Sequence, residues 1–472
     1  MAQPMMLALA KLISDSVAKV DQLCIEQGVI FPSLDDPFTT ESESIKLHPE
    51  VAEAANYIIS AAAQLIAILR PVPVTLSTSA IHVHVSSALR VVVDSNVVEI
   101  LREAGPQGLH VKKISEKNGV EAGKLGRLLR LLASEHMFKE ITPDVFATNR
   151  ISSALDTGKP YEELVKNPGE KLIGTNGIAA YISRSTDESV KSSGFLYEAL
   201  TYSSSEKAPS PPSPFNLAFN TELHIFSWLA QKGNEYRLQR FGIAFDGFDK
   251  MLPVNGVTKG YRWGSLPKGS IVVDVGGGVG SESMKIAKTF PDLKVIIQDA
   301  EGVVANGVKT NALQFYETRF PEGLSSAHDF FTPNPVTNAR VFFMRFILHD
   351  WPDATCVKIL KNLREVAAPD TELIINECLI QYACSTESDI SKSIPGGRFK
   401  PPPSPLLPNL GYARIFHYLI DLQMAIVAHG VERTVEQYAS ILQKSGWKLK
   451  EVLRMPESAY SLHKLVAVPQ PE

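Results

Sequence analysis

The stretch Ile271–Ala300 constrains this chain more than any other, because a β-branched run that ends abruptly at glycines leaves few folds open to it. Ile271-Val-Val-Asp-Val is followed by Gly276-Gly-Gly-Val-Gly280, a helix-like segment, and then Lys294-Val-Ile-Ile-Gln-Asp299. The order reads as strand, glycine turn, helix, strand. A short apolar strand without polar alternation suits a parallel sheet whose faces are both covered by helices. Gly276 and Gly278 let the backbone turn sharply and approach a ligand without Cβ obstruction, and the helix start beyond them offers free N–H groups. Asp299, 23 positions past Gly276, closes the second strand, where a carboxylate can accept hydrogen bonds from ribose hydroxyls.

The spacing of the glycines narrows the ligand. A dinucleotide fingerprint needs its third glycine at position 281, and Ser281 stands there. A G-x-G-x-G turn with a downstream acid is the arrangement that S-adenosylmethionine (SAM) enzymes of the Rossmann-like type use, whereas a pyrophosphate needs the helix end itself. Two other readings stay open at this point: a structural turn of some other α/β protein, and an NAD-type dehydrogenase.

The 472 residues suffice for two or three domains, and 47 basic against 51 acidic residues give no electrostatic footprint for nucleic acid. Cys24, Cys356, Cys378 and Cys384 show neither C-x-x-C nor metal-finger spacing, which points to a reducing compartment and hence a cytoplasmic protein. The apolar N-terminus lacks a basic flank and meets Asp15, so it reads as a helix of the first domain rather than a signal peptide. With no run near 18 consecutive apolar residues, no membrane partner is expected.

Helical periodicity runs over Val51–Leu69, Ala88–Glu103, Val111–Asn118 and Ala122–Ser134, and Phe138–Thr148 looks like a small hairpin. That is a winged-helix pattern, which raises the rival reading of a DNA-binding regulator with a nucleoside-ligand domain. Lys124, Arg127 and Arg130 could face phosphates. The same helix carries Leu125, Leu128, Leu129, Leu131 and Leu132, a breadth that favours a packing or dimerising module.

Ser203–Pro214 is a low-complexity loop, followed by helical patterns at Thr221–Lys232 and Glu235–Lys250. The aromatic and methionine stripe here, which includes Phe241 and Met251, is ordinary core or a substrate wall. Beyond the glycine unit, Gly302–Ala312 reads as a helix. Ala339–Leu348 reads as a strand that leads into His349-Asp350-Trp351, Ala354–Ala367 as a helix, and Glu372–Glu377 as another buried strand. A strand–helix–strand unit implies a right-handed crossover. Were the two strands adjacent, about 5 Å apart, His349 and Glu377 would lie side by side on the ligand-binding edge of the sheet. A carboxylate beside an imidazole fixes its tautomer and raises its basicity.

The strings V-D-V-G-G-G-V-G, F-I-L-H-D-W-P-D, I-I-N-E-C and G-V-E-R-T, in this order over residues 85 to 467, resemble the SAM-dependent small-molecule O-methyltransferases of the caffeic-acid type, and most of all their fungal relatives that modify phenols and polyketides. The resemblance implies a Rossmann-like α/β SAM domain, a mainly α winged-helix-like dimerisation domain, a homodimer and no metal. It divides the chain into 1–150 for dimerisation, 151–260 as helical linker and substrate wall, and 261–472 as the catalytic domain. By position, His349 matches the general base, and Glu377 and Glu432 match the carboxylates that flank it. The cofactor residues implied are Gly276, Gly278, Asp299, Asp329, Phe330 and Arg345, the last standing where plant relatives have lysine. Phe241, Met251, Asp350 and Met424 are the candidate substrate contacts. A proline-rich insert, 385–412, is absent from plant enzymes and has a counterpart in fungal relatives; it is expected either to line or cover the substrate mouth or to be a disordered loop. The chemistry agrees: a sulfonium methyl is already electrophilic, so placing a phenol in line and removing its proton suffices. A metal-dependent catechol route would need an acidic cluster, and none is visible around the histidine motif.

Overall fold

The computed structural model describes residues 4–202, 211–251, 256–304, 325–386, 388–455 and 461–471, the side chains of 246, 249–251 and 325–326 excepted. The chain divides into two compact units, Met1–Leu252 and Pro253–Glu472.

In the first unit, helices Met5–Gln27 and Pro49–Leu69 pack together, followed by helices Val72–Ile81, Val83–Asp94 and Val97–Ala104. The single helix expected over Ala88–Glu103 is broken at Ser95-Asn96, where Asn96 takes a left-handed φ of 58° that asparagine tolerates better than most residues. Strands β1 (Leu109–His110), β2 (Phe138–Thr142) and β3 (Val145–Thr148) form an antiparallel sheet in the order β1-β3-β2 beside helices Val111–Asn118 and Ala122–Ser134. The latter helix starts where the Glu121 carboxylate accepts the N–H groups of Gly123 and Lys124, and it buries Leu125, Leu129 and Leu132 completely. The Arg130 guanidinium is spent on Glu140 at 3.0 Å and Asp144 at 2.7 Å. Farther along, the chain around Gly177 crosses helix Glu235–Met251 at Gly247, where a Cβ on Gly177 would lie 2.5 Å from the Gly247 Cα. Ile59, Ile66, Leu69, Val72, Leu76 and Ile81 remain exposed. By length and mean hydropathy, 1.4 and 1.2, Pro49–Leu69 and Val72–Asp94 pass the test for a membrane span despite their interspersed polar residues.

The second unit holds β4 (Ile271–Val275), β5 (Lys294–Asp299), β6 (Ser325–Ala327), β7 (Ala339–Arg345), β8 (Glu372–Cys378), β9 (Trp447–Leu453) and β10 (Leu462–Pro469). They form one sheet in the order β6-β5-β4-β7-β8-β10-β9, parallel except that β10 runs antiparallel to β8 and β9. Both faces are covered, which explains the unbroken apolar strands. Val273, Val275, Phe342 and Met344 pack to one side, and Val272, Val341, Phe343 and Ile374 to the other. The adjacency expected of the histidine strand and the Glu377 strand is present: β7 pairs with β8 up to Arg345↔Asn376, with helix Asp353–Arg364 as the crossover. The helix expected at Gly302–Ala312 lies outside the described residues beyond 304, as does the loop expected at Ser203–Pro214 up to residue 210. The proline-rich insert is built onto the edge strand. Val452 N donates to Pro395 O at 2.8 Å, and Arg454 donates to the Gly396 and Gly397 carbonyls.

One acid interrupts the apolar face of β4. Asp274 is 3% exposed, and its carboxylate accepts from Ser283 Oγ at 2.6 Å. Burial raises its pKa to about 7 against the opposing Ser283 hydrogen bond, with Glu282 adding to the rise. A folded-state pKa above the unfolded value favours folding most below the unfolded pKa of 3.8, and this contribution disappears as pH rises through about 7. Asp274→Asn should therefore gain stability relative to the parent chain between pH 5 and 8, by at most about 4 kcal/mol since each pKa unit is about 1.36 kcal/mol. Thermal unfolding of both proteins across that range checks this; parallel curves would contradict it.

Candidate active site

The parallel register brings the carboxyl ends of β4, β5, β7 and β8 to one edge, and every catalytic candidate emerges there or on the segment that follows helix Ile415–Ala428. His349 is 6% exposed, and Glu377 and Glu432 are fully buried. His349 Nδ1 lies 2.7 Å from Glu432 Oε1 and 3.9 Å from Glu377 Oε2, while Nε2 lies 3.8 Å from Asp350 Oδ1. The two glutamates therefore do different work. Glu432 hydrogen-bonds the ring, whereas Glu377 Oε1 accepts the backbone N–H groups of Ile347 and Leu348 at 2.9 and 3.0 Å and so shapes the turn that presents it. Burial alone would depress the imidazole pKa; Glu377, Glu432 and Asp350 overcome it and lift the group to about 10. Burial also raises Glu377, to about 7.

The backbone around His349 is clamped. Its carbonyl accepts Val431 N at 2.8 Å, so close to Gly430 that a Cβ there would sit 2.0 Å from the oxygen. Arg433, fully buried, donates to Leu348 O at 2.8 Å, Trp351 O at 2.7 Å and Asp353 Oδ1 at 2.9 Å. Asp421 Oδ1 accepts the Glu432 N–H at 2.8 Å. Sequence reasoning quoted G-V-E-R-T without assigning Gly430 or Arg433, and Asp421 carried no signal.

The glycine turn forms the second half of the site. Gly276, Gly278 and Gly280 all have positive φ, 73°, 59° and 82°. A Cβ on Gly276 would meet Ile347 Cδ1 at 2.3 Å, and one on Gly277 the Asp274 carboxylate at 2.7 Å, whereas the Gly278 position opens onto free space. Asp299 Oδ2 accepts Gly278 N at 2.8 Å and Oδ1 accepts Ala300 N at 2.7 Å, so the carboxylate is fixed with acceptor sites to spare. Burial raises its pKa, which these hydrogen bonds oppose. The Asp299 carbonyl accepts His328 N at 3.0 Å, bringing Asp329 beside it, and the Phe330 ring edge stands 3.8 Å from the Cβ position of Gly276. Arg345 ends β7 with Glu282 at 3.9 Å. An open Gly278, a helix Ser281–Thr289 whose start carries no side-chain cap, and a carboxylate fixed by the Gly278 and Ala300 N–H groups fit a nucleoside with an amino-acid tail.

Among the substrate candidates, Asp350 belongs to the histidine cluster, and Met424 is buried on Ile415–Ala428 with its carbonyl accepting Gly430 N. Phe241 lies in the first unit against Phe226, Phe245 and the Arg184 guanidinium, and the Met251 side chain lies outside the described residues. The acidic cluster that the sequence did not reveal is formed by the fold: His349, Glu377 and Glu432 offer ligand atoms within 4.8 Å of one another, the spacing of a metal site. Here the 2.7 Å Nδ1–Oε1 contact is a hydrogen bond and Glu377 Oε1 is engaged by backbone, while Glu377 Oε2 and Glu432 Oε2 are buried without a hydrogen-bond partner.

The O-methyltransferase domain model matches residues 250–393, and the O-methyltransferase dimerisation domain model matches residues 79–158. An O-methyltransferase of Armillaria gallica is 40% identical over 98% of both chains, and 4-O-methyltransferase 1 of Phanerochaete chrysosporium is 35% identical over 98% of both. Sterigmatocystin 8-O-methyltransferase of Aspergillus parasiticus is 27% identical over 94% of this chain and 92% of its own. The fold is shared with LepI in complex with SAM (TM-score 0.65, 19% identity, 98% and 100% covered) and with mitomycin 7-O-methyltransferase MmcR (TM-score 0.60, 20% identity, 86% and 99% covered). The chain belongs to the SAM-dependent O-methyltransferases of the fungal secondary-metabolite type, a Rossmann-like catalytic domain joined to the family's dimerisation domain.

Proposed function

We propose that this enzyme methylates a phenolic hydroxyl of a small aromatic or polyketide-like metabolite, with His349 as general base. The observation that carries the reading is the 2.7 Å contact between His349 Nδ1 and the buried Glu432 carboxylate. A neutral imidazole that donates Nδ1–H to a carboxylate must present Nε2 as an acceptor. When bound, SAM supplies a methyl group on a sulfonium cation, whose charge opposes a second positive charge nearby. Gly276, Gly278 and Asp299 would hold the nucleoside, with Asp329 and Phe330 beside it, Arg345 near the helix start, and Asp350 and Met424 as the acceptor contacts on the catalytic unit.

An imidazole lifted to about 10 holds a proton at neutral pH, so the fraction able to accept one from the acceptor grows about tenfold per pH unit until that value. Its basicity then matches that of a phenol, near 10, which makes the transfer close to balanced. For the parent enzyme, kcat/KM should climb with pH across the neutral range. His349→Ala should keep SAM affinity within a few fold and lower turnover at least about a hundredfold, a loss that shrinks as pH approaches the acceptor's own pKa. Calorimetry and labelled-SAM assays with graded phenols check this, and near-wild-type turnover at neutral pH would refute the base.

The unequal contacts of the two glutamates give a second expectation. Glu432→Gln removes the charge that pairs with the ring, so it should lower the pH at which activity rises and cut turnover. Glu377→Gln keeps an acceptor for the Ile347 and Leu348 N–H groups and should cost less. Equal losses of turnover in the two variants would contradict this division.

Residues 1–150 are read as a dimerising module that binds neither nucleic acid nor membrane: Arg130 is neutralised by Glu140 and Asp144, and the exposed apolar side chains Ile66, Leu69 and Leu76 suit a second copy. The combined change Ile66→Glu, Leu69→Glu and Leu76→Glu should convert a dimer to monomers by light scattering. A parent chain that is monomeric, or that sediments with lipid vesicles, would overturn the assignment.

A further inference from the structure

Phe346, one residue past β7, has φ 55°, a left-handed conformation that a bulky side chain adopts rarely and at a cost. The surroundings hold it there. The next two N–H groups, of Ile347 and Leu348, are gathered by Glu377 Oε1, and the Ile347 side chain fills the space that a Cβ on Gly276 would need. What this backbone produces is a ring laid on the catalytic imidazole: the Phe346 and His349 centroids are 5.2 Å apart with planes 28° from parallel, and the Arg345 guanidinium carbon is 4.8 Å from the Phe346 centroid.

We propose that Phe346 is a positioning residue for methyl transfer: its strained backbone presents the ring as a platform that fixes the plane of the His349 imidazole and favours the imidazolium formed when the acceptor gives up its proton. The proposal rests on the reading of His349 as base. The negative π face of an aromatic ring attracts a cation laid over it, and a ring held on one face cannot rotate away from the acceptor oxygen. The charged groups facing His349 are of the opposite sign, Glu377, Glu432 and Asp350, and the Arg345 cation lies against the Phe346 ring. Glu432 restrains the ring through Nδ1 alone, which leaves rotation about that contact to be stopped by Phe346. The arrangement also gives Glu377 a purpose that its 3.9 Å distance from Nδ1 does not: it anchors the turn that carries the platform.

The test compares Phe346→Leu, Phe346→Tyr, Phe346→Ala and Phe346→Gly in the full-length protein. Phe346→Leu should lower the alkaline plateau of kcat about tenfold and move the midpoint of the pH profile down by about one unit, with KM for SAM unchanged, while Phe346→Tyr restores both. A residue with only a structural role would lower the plateau and leave the midpoint in place. Because glycine fits a positive φ and alanine does not, Phe346→Gly should melt above Phe346→Ala, the reverse of the usual order. The His349 titration followed by NMR in carbon-13-histidine protein, assigned by its absence from His349→Ala, reads the stack without catalysis. If the titration moves in Phe346→Leu but His349→Ala stays active, the base reading fails and takes the role in methyl transfer with it, leaving only the ring contact. If His349→Ala is inactive while Phe346→Leu leaves both midpoints unmoved, or Phe346→Ala melts above Phe346→Gly, the platform is overturned and the base reading is not.

Discussion

The catalytic unit depends on a carboxylate kept out of water, Glu432, with one nitrogen of His349 at 2.7 Å. A buried charge of this kind is costly unless paired and hydrogen-bonded. His349 is the partner of Oε1, Oε2 has none, and the segment that carries the carboxylate is held from several directions: Asp421 fixes the Glu432 backbone, Arg433 ties the segment to the Leu348 and Trp351 carbonyls, and Gly430 lets the two segments approach closely enough for Val431 N to reach His349 O. The consequence for function is directional. One imidazole nitrogen is committed to the interior, so the other is the only ring atom left for an acceptor.

The glycine turn and the histidine turn are two faces of one constraint. Ile347 occupies the place where a side chain at 276 would be, so the absence of a Cβ there serves packing as much as ligand approach. Gly278 is different, since its Cβ position meets nothing and its N–H orients Asp299. Asp274 and Ser283 brace the turn from below, and a Cβ at Gly277 would strike that carboxylate.

The glycine-bounded strand, the crossover and the adjacency of His349 with Glu377 were legible because they follow from short-range periodicity and from topology rules that leave one arrangement. The winged-helix elements Val111–Asn118 and Ala122–Ser134 were legible for the same reason, and their boundaries match. The break at Asn96 was not, because a single left-handed residue leaves the apolar spacing of the flanking helices intact. Nor was the unequal work of the two glutamates. A family pattern names both carboxylates, but which one reaches Nδ1 and which one gathers backbone N–H groups is decided by a turn at Phe346 that no periodicity announces. Glu432 is 83 residues from His349 in sequence, so only the family pattern, and no periodicity, brought it beside the histidine.

The central claim is the tautomer. Nitrogen-15 NMR of His349 in the complex with S-adenosylhomocysteine, followed from neutral to strongly alkaline pH, reads it directly. The account predicts that Nδ1 keeps its proton throughout while Nε2 loses its own as the ring is neutralised. A neutral ring that carries its proton on Nε2 would contradict it, because the nitrogen turned to the acceptor would then have nothing with which to take a proton.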